Sequence, residues 1–143
     1  MGKRMQSELG VLSVRRISNV LLFCAISLIP WIFFLGIFQG SGTYVIRRWG
    51  LAWMGLDVME VLALVITAAL LRRRSIFASP AAAVSSTLFF TDAWFDVVTA
   101  KSGGDYAEAL LLMCVAEIPL AGLCLAVSVG VTSRFAQLPR ADR

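Results

Sequence analysis

The stretch Thr91-Asp92-Ala93-Trp94-Phe95-Asp96-Val97-Val98-Thr99 places two carboxylates four residues apart in a segment whose other residues are typical of a membrane-spanning helix. A charged residue at the centre of a bilayer helix costs about 2.5–3.5 kcal/mol, whereas each Leu or Phe returns only about 0.3–0.6 kcal/mol. Two Asp residues in one span therefore require a proton, a counter-ion or water. The rest of the chain decides which of these is available.

The composition is that of a polytopic membrane protein. Of 143 residues, 59% are hydrophobic and 15% are charged, whereas soluble domains are usually about 45–50% apolar and about 25% charged. The net charge of +4 does not indicate nucleic-acid binding, because the basic residues lie in short clusters that flank apolar runs. No histidine is present, so neither haem nor zinc is expected. Cys24, Cys114 and Cys124 lie in apolar runs without metal-ligand spacing, which predicts buried thiols.

Four apolar runs predict four membrane spans in a single membrane domain that covers residues 1–143. The first, about 17–39, is longer than the core of a signal peptide, which has about 7–15 residues. Pro30 predicts a kink near its middle. The other three runs cover about 51–71, 81–100 and 106–131. Because each run is long enough to cross hydrocarbon, we expect an all-α four-helix bundle embedded in the lipid bilayer.

The distribution of basic residues predicts the orientation of this bundle. The N-terminal segment, the loop 72–80 and the C-terminal tail contain four, three and three Lys or Arg residues, whereas the other two loops contain two and one. Basic residues concentrate on the cytoplasmic side of a membrane. Both termini and the loop 72–80 are therefore expected in the cytoplasm, which is an N-in/C-in topology.

Five carboxylates lie inside the predicted spans: Asp57, Glu60, Asp92, Asp96 and Glu117. At about 1.5 Å per helical residue, antiparallel threading puts all five between the outer third and the midplane of a hydrocarbon core about 30 Å thick. The three-residue and four-residue spacings place each pair of acids on one helix face. Intramembrane acids normally face the bundle interior or a water-filled cavity. We therefore expect all five to build one acidic site that opens outward.

Three helix faces are expected to line this site. They are Trp53, Asp57, Glu60, Leu64 and Thr67 on the second span; Ser85, Asp92, Asp96 and Thr99 on the third; and Cys114, Glu117, Ala121, Cys124 and Ser128 on the fourth. The small residues of the fourth face suit close helix packing. Arg47 and Arg48 at the outer mouth, together with Lys101, are the candidate counter-ions.

The acidic site is compatible with three functions. The first is binding or translocation of protons or cations, and carboxylate ligands alone would select a hard divalent cation such as Mg²⁺, Ca²⁺ or Mn²⁺. The second is a non-catalytic accessory or assembly subunit, whose acids are satisfied internally or by an Arg of a membrane-protein partner. The third and least favoured is a membrane enzyme with a carboxylate-bound metal, and no catalytic residue is assigned. A transporter of this size is expected to form a homo-oligomer.

Four segments between Leu51 and Leu125 resemble a group of small actinobacterial membrane proteins. They are Gly55-Leu56-Asp57-Val58-Met59-Glu60, Arg72-Arg73-Arg74, the opening stretch with its DAWFD core, and Glu117-Ile118-Pro119-Leu120-Ala121. The resemblance implies a four-span protein of a bacterial cytoplasmic membrane and implies no activity. All five intramembrane acids lie within these segments.

Overall fold

The computed structural model describes residues 2–38 and 49–137, and the side chains of residues 13–34, 37 and 50–137. These residues form helices and no strands, so the predicted all-α class is confirmed. The helices are α1 (Gly2–Phe38), α2 (Trp49–Arg72), α3 (Ala78–Thr99), α4 (Gly104–Leu112) and α5 (Ile118–Ala136), with a π-helix (Met113–Glu117) that joins α4 to α5. The predicted counter-ions Arg47 and Arg48, and residues 138–143 of the C-terminal tail, lie outside the described residues.

Three segments are long and apolar enough to cross a membrane: Ser13–Phe34, Gly50–Arg72 and Gly104–Ala136. They correspond to the first, second and fourth predicted spans. The 22-residue helix α3 is not among them, because its serines and two aspartates lower its apolarity. The structure therefore supports a membrane protein, whereas the count of four spans and the N-in/C-in orientation stay predictions.

Helix α1 is longer than the first predicted span, because it begins at Gly2 and includes the polar N-terminal segment. Lys, Arg, Met, Gln and Glu in this segment are good helix formers, which explains the extension. The helix also continues through Pro30. Pro30 removes one N–H from the helical hydrogen bonds, and the kink predicted there stays a prediction.

The described residues divide into two compact units, one ending at Ser75 and the other beginning at Ile76. In the first unit, α1 and α2 form an antiparallel hairpin. Ser18 donates its hydroxyl to the carbonyl oxygen of Ala68 (2.8 Å), and Arg72 donates Nε–H to Ser18 Oγ (3.0 Å). The beginning of the apolar part of α1 thus lies beside the end of α2. A single membrane domain over residues 1–143 stays a prediction.

Helix α2 ends in a Schellman motif. The N–H of Arg74 donates to the carbonyl oxygen of Leu71, and the N–H of Ser75 donates to that of Leu70, both at 3.0 Å. Arg74 takes the left-handed position of this motif, with φ of 52°. Glycine is usual there, because a side chain in this conformation costs about 1–2 kcal/mol.

In the second unit, α3 packs antiparallel to α5. Ser79 donates its hydroxyl to the carbonyl oxygen of Ser128 (3.0 Å), and Ser86 donates to that of Ala121 (2.9 Å). Small hydroxyl residues allow close approach of two helix backbones and also form interhelical hydrogen bonds. This register continues towards Asp92, which therefore lies level with the π-helix, and towards Asp96, which lies level with the end of α4.

The turn between α3 and α4 depends on Gly103. The N–H of Ala100 donates to the carbonyl oxygen of Asp96 (3.0 Å), and the N–H of Tyr106 donates to that of Lys101 (3.1 Å). Between these bonds Gly103 adopts φ of 103° and ψ of −132°. Residues with a Cβ atom avoid this region, so the direction in which α4 leaves the turn requires glycine.

We expect Gly103→Ala to lower the free energy of unfolding by about 1–3 kcal/mol, because alanine is strained at this φ. Gly104→Ala is the matched control. An added Cβ atom meets no heavy atom within 4 Å at either position, and only Gly103 has a positive φ. Gly104→Ala should be neutral or stabilising, since alanine favours helix. Unfolding in mixed micelles titrated with dodecyl sulfate measures both, and equal losses would contradict the interpretation.

Candidate functional site

Three carboxyl groups of the second unit form a cluster, named here the α3–π cluster: Asp92, Asp96 and Glu117. One carboxylate oxygen of each lies within 4.8 Å of the others. Asp92 and Glu117 are each 8% exposed, and Asp96 is half-buried. The side chains of Asp96 and Glu117 are hydrogen-bonded to each other. The predicted approach of the third-span acids to Glu117 is therefore confirmed.

The helical period of α3 places its two acids in the cluster. Ser85, Phe89 and Asp92 are buried at intervals of three and four residues, and Asp96 continues the same face one turn later. This part of the predicted face is confirmed. Thr99, which was expected on it, is exposed. It is the last residue of α3, and the prediction was wrong because the helix ends there and turns away.

The π-helix places the third acid. The N–H of Ile118 donates to the carbonyl oxygen of Met113, five residues earlier, and Glu117 is the last residue of the wide turn. Pro119 lies two residues after Glu117, and in an α-helix its ring would clash with the carbonyl of Val115. A wider turn relieves this clash. Pro119 was the signal in the sequence, but its consequence for the helical period was not foreseen.

The wide turn also corrects the predicted face of the fourth span. Glu117, Ala121 and Cys124 are buried as expected, and Ser128 contacts Ser79. Cys114 is exposed, so its assignment to this face and to the buried thiols was wrong. The prediction assumed a regular α-helical period, whereas the π-helix changes the rotation between residues 114 and 117.

Asp57 and Glu60 are the acids of the first unit. Both are buried, at 4% and 1% exposure, and Leu64 and Thr67 are buried on the same face of α2. Trp53, one turn before Asp57 on α2, is half-buried. The predicted face of α2 is therefore confirmed. The meeting of all five acids in one site stays a prediction.

The geometry of the α3–π cluster suits a small positive species. A hydrogen bond between two carboxyl groups requires one proton, because ionised carboxylates only accept. Alternatively, hard divalent cations bind oxygen ligands at about 2.0–2.6 Å, so two ligands of one ion lie up to about 5 Å apart. The spacing within 4.8 Å fits this limit. The cluster can therefore hold either a proton or a hard cation.

Comparisons with protein-family models, with curated proteins and with solved structures find no match for this chain.

We expect Asp96→Asn to make the stability of the protein less sensitive to rising pH. As the pH rises, ionisation of further carboxyl groups brings like charges within 4.8 Å of one another in the folded state. This repulsion is absent in the unfolded state, so the free energy of unfolding falls as the pH rises above about 4, the ordinary pKa of a carboxyl group. Removing one charge should reduce this loss by about 1–2 kcal/mol.

Unfolding of the wild type and Asp96→Asn in mixed micelles over a series of pH values measures the difference. Asp105→Asn is the matched control, because Asp105 is exposed in the first turn of α4. Identical pH dependence in the wild type and in Asp96→Asn would show that the three carboxyl groups do not interact electrostatically.

Proposed function

We propose that this chain is a small multi-pass protein of a bacterial cytoplasmic membrane that binds or translocates protons or cations through its intramembrane carboxylates. The observation that carries the proposal is the α3–π cluster, in which Asp92, Asp96 and Glu117 lie within 4.8 Å of one another. Ionisable residues within membrane segments are costly, and they commonly mark ion pathways and proton relays.

Helix packing alone does not require these acids. Ser79 and Ser86 already join α3 to α5 through neutral hydroxyl groups, which are far less costly to bury than carboxylates. Three acids gathered on the same interface add a cost that such packing does not need. A role in holding a positive species accounts for that cost.

The π-helix supports the same proposal. Single wide turns of this kind occur frequently at functional sites, because they change the direction of a side chain within an otherwise regular helix. Here the wide turn ends at Glu117, the residue that completes the cluster. In the apolar segment Gly104–Ala136, the π-helix therefore coincides with the buried acid Glu117.

In the proposed mechanism, Asp92, Asp96 and Glu117 are proton carriers or ligands of a hard divalent cation such as Mg²⁺, Ca²⁺ or Mn²⁺. The hydrogen bond between Asp96 and Glu117 holds one proton, and a bound cation would replace it. Asp57 and Glu60, buried together on α2, are proposed to have the same role. A pathway across the membrane would require a homo-oligomer.

One observation favours a second candidate, an accessory or assembly subunit of the membrane. The bond between Asp96 and Glu117 satisfies two of the acids internally, and an accessory protein needs no exchange of its proton. This candidate predicts a stoichiometric membrane-protein partner and no ion flux.

We expect Asp92→Asn/Asp96→Asn to lower proton or divalent-cation flux at least about tenfold, because the loss of two carboxylates removes most of the negative charge of the cluster. The wild type and the variant are reconstituted in liposomes loaded with a pH-sensitive or a cation-sensitive dye. Asp105→Asn, which removes an exposed acid of α4, is the control and should retain wild-type flux.

Binding of Mn²⁺ to the detergent-solubilised chain, followed by the loss of its free paramagnetic signal, tests the ligand role without transport. Equal flux through the wild type and the double variant, with no Mn²⁺ binding, would overturn the proposal. Co-purification of a stoichiometric partner in that case would establish the accessory role.

A further inference from the structure

Five arginines gather at one end of the hairpin formed by α1 and α2. They are Arg15, Arg16, Arg72, Arg73 and Arg74, and all five are exposed. Arg72 contacts Ser18 and Asn19 across the hairpin. Arg15 and Arg16 precede these two residues by three positions, so they continue the same faces of α1 one turn further out. The hairpin thus places two arginines of α1 level with Arg72, the last residue of α2, and with the two arginines that follow it.

The contacts of Arg72 fix the orientation of its guanidinium group. Nε–H donates to Ser18 Oγ (3.0 Å), and Nη2 donates to Asn19 Oδ1 (2.7 Å). Ser18 is fully buried and donates its own hydroxyl to the carbonyl oxygen of Ala68. This bond fixes the position of Ser18 Oγ, which accepts the hydrogen bond from Arg72. A guanidinium has five N–H donors, and three of them remain for an external acceptor.

No described carboxylate of the first unit can neutralise this charge. Its acids with described side chains are Asp57 and Glu60, and Glu60 lies 12 residues before Arg72 on the same helix. At about 1.5 Å per residue this is about 18 Å, which is beyond the reach of a side chain. Five fixed positive charges on one end of the hairpin therefore favour an external anion.

The position of the arginines identifies this anion. Arg72 is the last residue of the apolar segment Gly50–Arg72, and Arg15 lies two residues inside the beginning of Ser13–Phe34. Residues at the ends of membrane-spanning segments lie level with lipid headgroups. Guanidinium groups bind phosphate oxygens in bidentate fashion.

From these contacts we infer that Arg15, Arg16, Arg72, Arg73 and Arg74 form a binding site for the phosphodiester headgroup of an anionic phospholipid. This inference does not rest on the proposed function. The backbone of Arg74 supports it, because an arginine takes a position with φ of 52° at which glycine would be more stable. A role for the charge of Arg74 accounts for this choice.

The experiment uses native mass spectrometry of the full chain in micelles of a neutral detergent, titrated with phosphatidylglycerol or with phosphatidylcholine. We expect a one-to-one adduct with phosphatidylglycerol and at least about tenfold weaker binding of phosphatidylcholine, because only the former has a net negative charge. Addition of inorganic phosphate should leave the lipid adduct in place. Its displacement by inorganic phosphate would identify a free-anion site and overturn the lipid assignment.

Matched variants separate this site from general attraction by positive charge. Arg72→Gln and Arg74→Gly should each weaken the phosphatidylglycerol adduct by about fivefold. The Arg74→Gly variant should retain the wild-type fold, because glycine is favoured at the positive φ of this position. Arg134→Gln, at an exposed arginine in the last turn of α5, is the charge-matched control and should bind as the wild type does.

Asn19→Ala leaves the net charge unchanged and removes one of the two contacts that orient Arg72. It should weaken the phosphatidylglycerol adduct by about two- to threefold, because the guanidinium fork is then less fixed. An equal effect of Arg134→Gln and Arg74→Gly, or equal affinity for the two lipids, would overturn the inference.

Discussion

A carboxyl group inside an apolar bundle must be neutralised by a near neighbour, and the arrangement of α3 follows from this constraint. An isolated ion in hydrocarbon is prohibitively costly, so buried acids need a proton, a cation or a donor within contact distance. Helix α3 meets this requirement because its polar and its exposed apolar side chains lie on different sides. Asp92 and the serines that contact α5 lie on one side, and exposed apolar residues, among them Val84, Trp94 and Val98, lie on the other.

Much of the fold and of the candidate site could be predicted from the sequence, because both depend on the regular geometry of an α-helix. The period of 3.6 residues put Asp57, Glu60, Leu64 and Thr67 on one face of α2, and all four are buried there. The rise of 1.5 Å per residue, applied to antiparallel helices, brought Glu117 level with the acids of α3. Neither inference needed knowledge of a particular side-chain contact.

The rest could not be predicted, because it depends on departures from that regular geometry. Pro119 marks a disturbance in any helix, but a proline can be accommodated by a kink, a break or a wide turn. The choice of a π-helix moved Cys114 away from the face that Glu117 occupies. In the same way, the run of arginines that ends α2 predicted its charge and gave no sign of the left-handed backbone at Arg74.

The two polar regions differ in how they become neutral, and this difference accounts for where each lies. A guanidinium group does not lose its proton at any physiological pH, so the arginines of the first unit stay at the ends of the apolar segments, where an external anion or water is available. A carboxyl group becomes neutral when it binds a proton. Asp96 and Glu117 can therefore be paired with each other inside the protein, an arrangement that two guanidinium groups could never adopt. The charge of the α3–π cluster consequently responds to pH or to a cation, whereas the charge of the five arginines is constant.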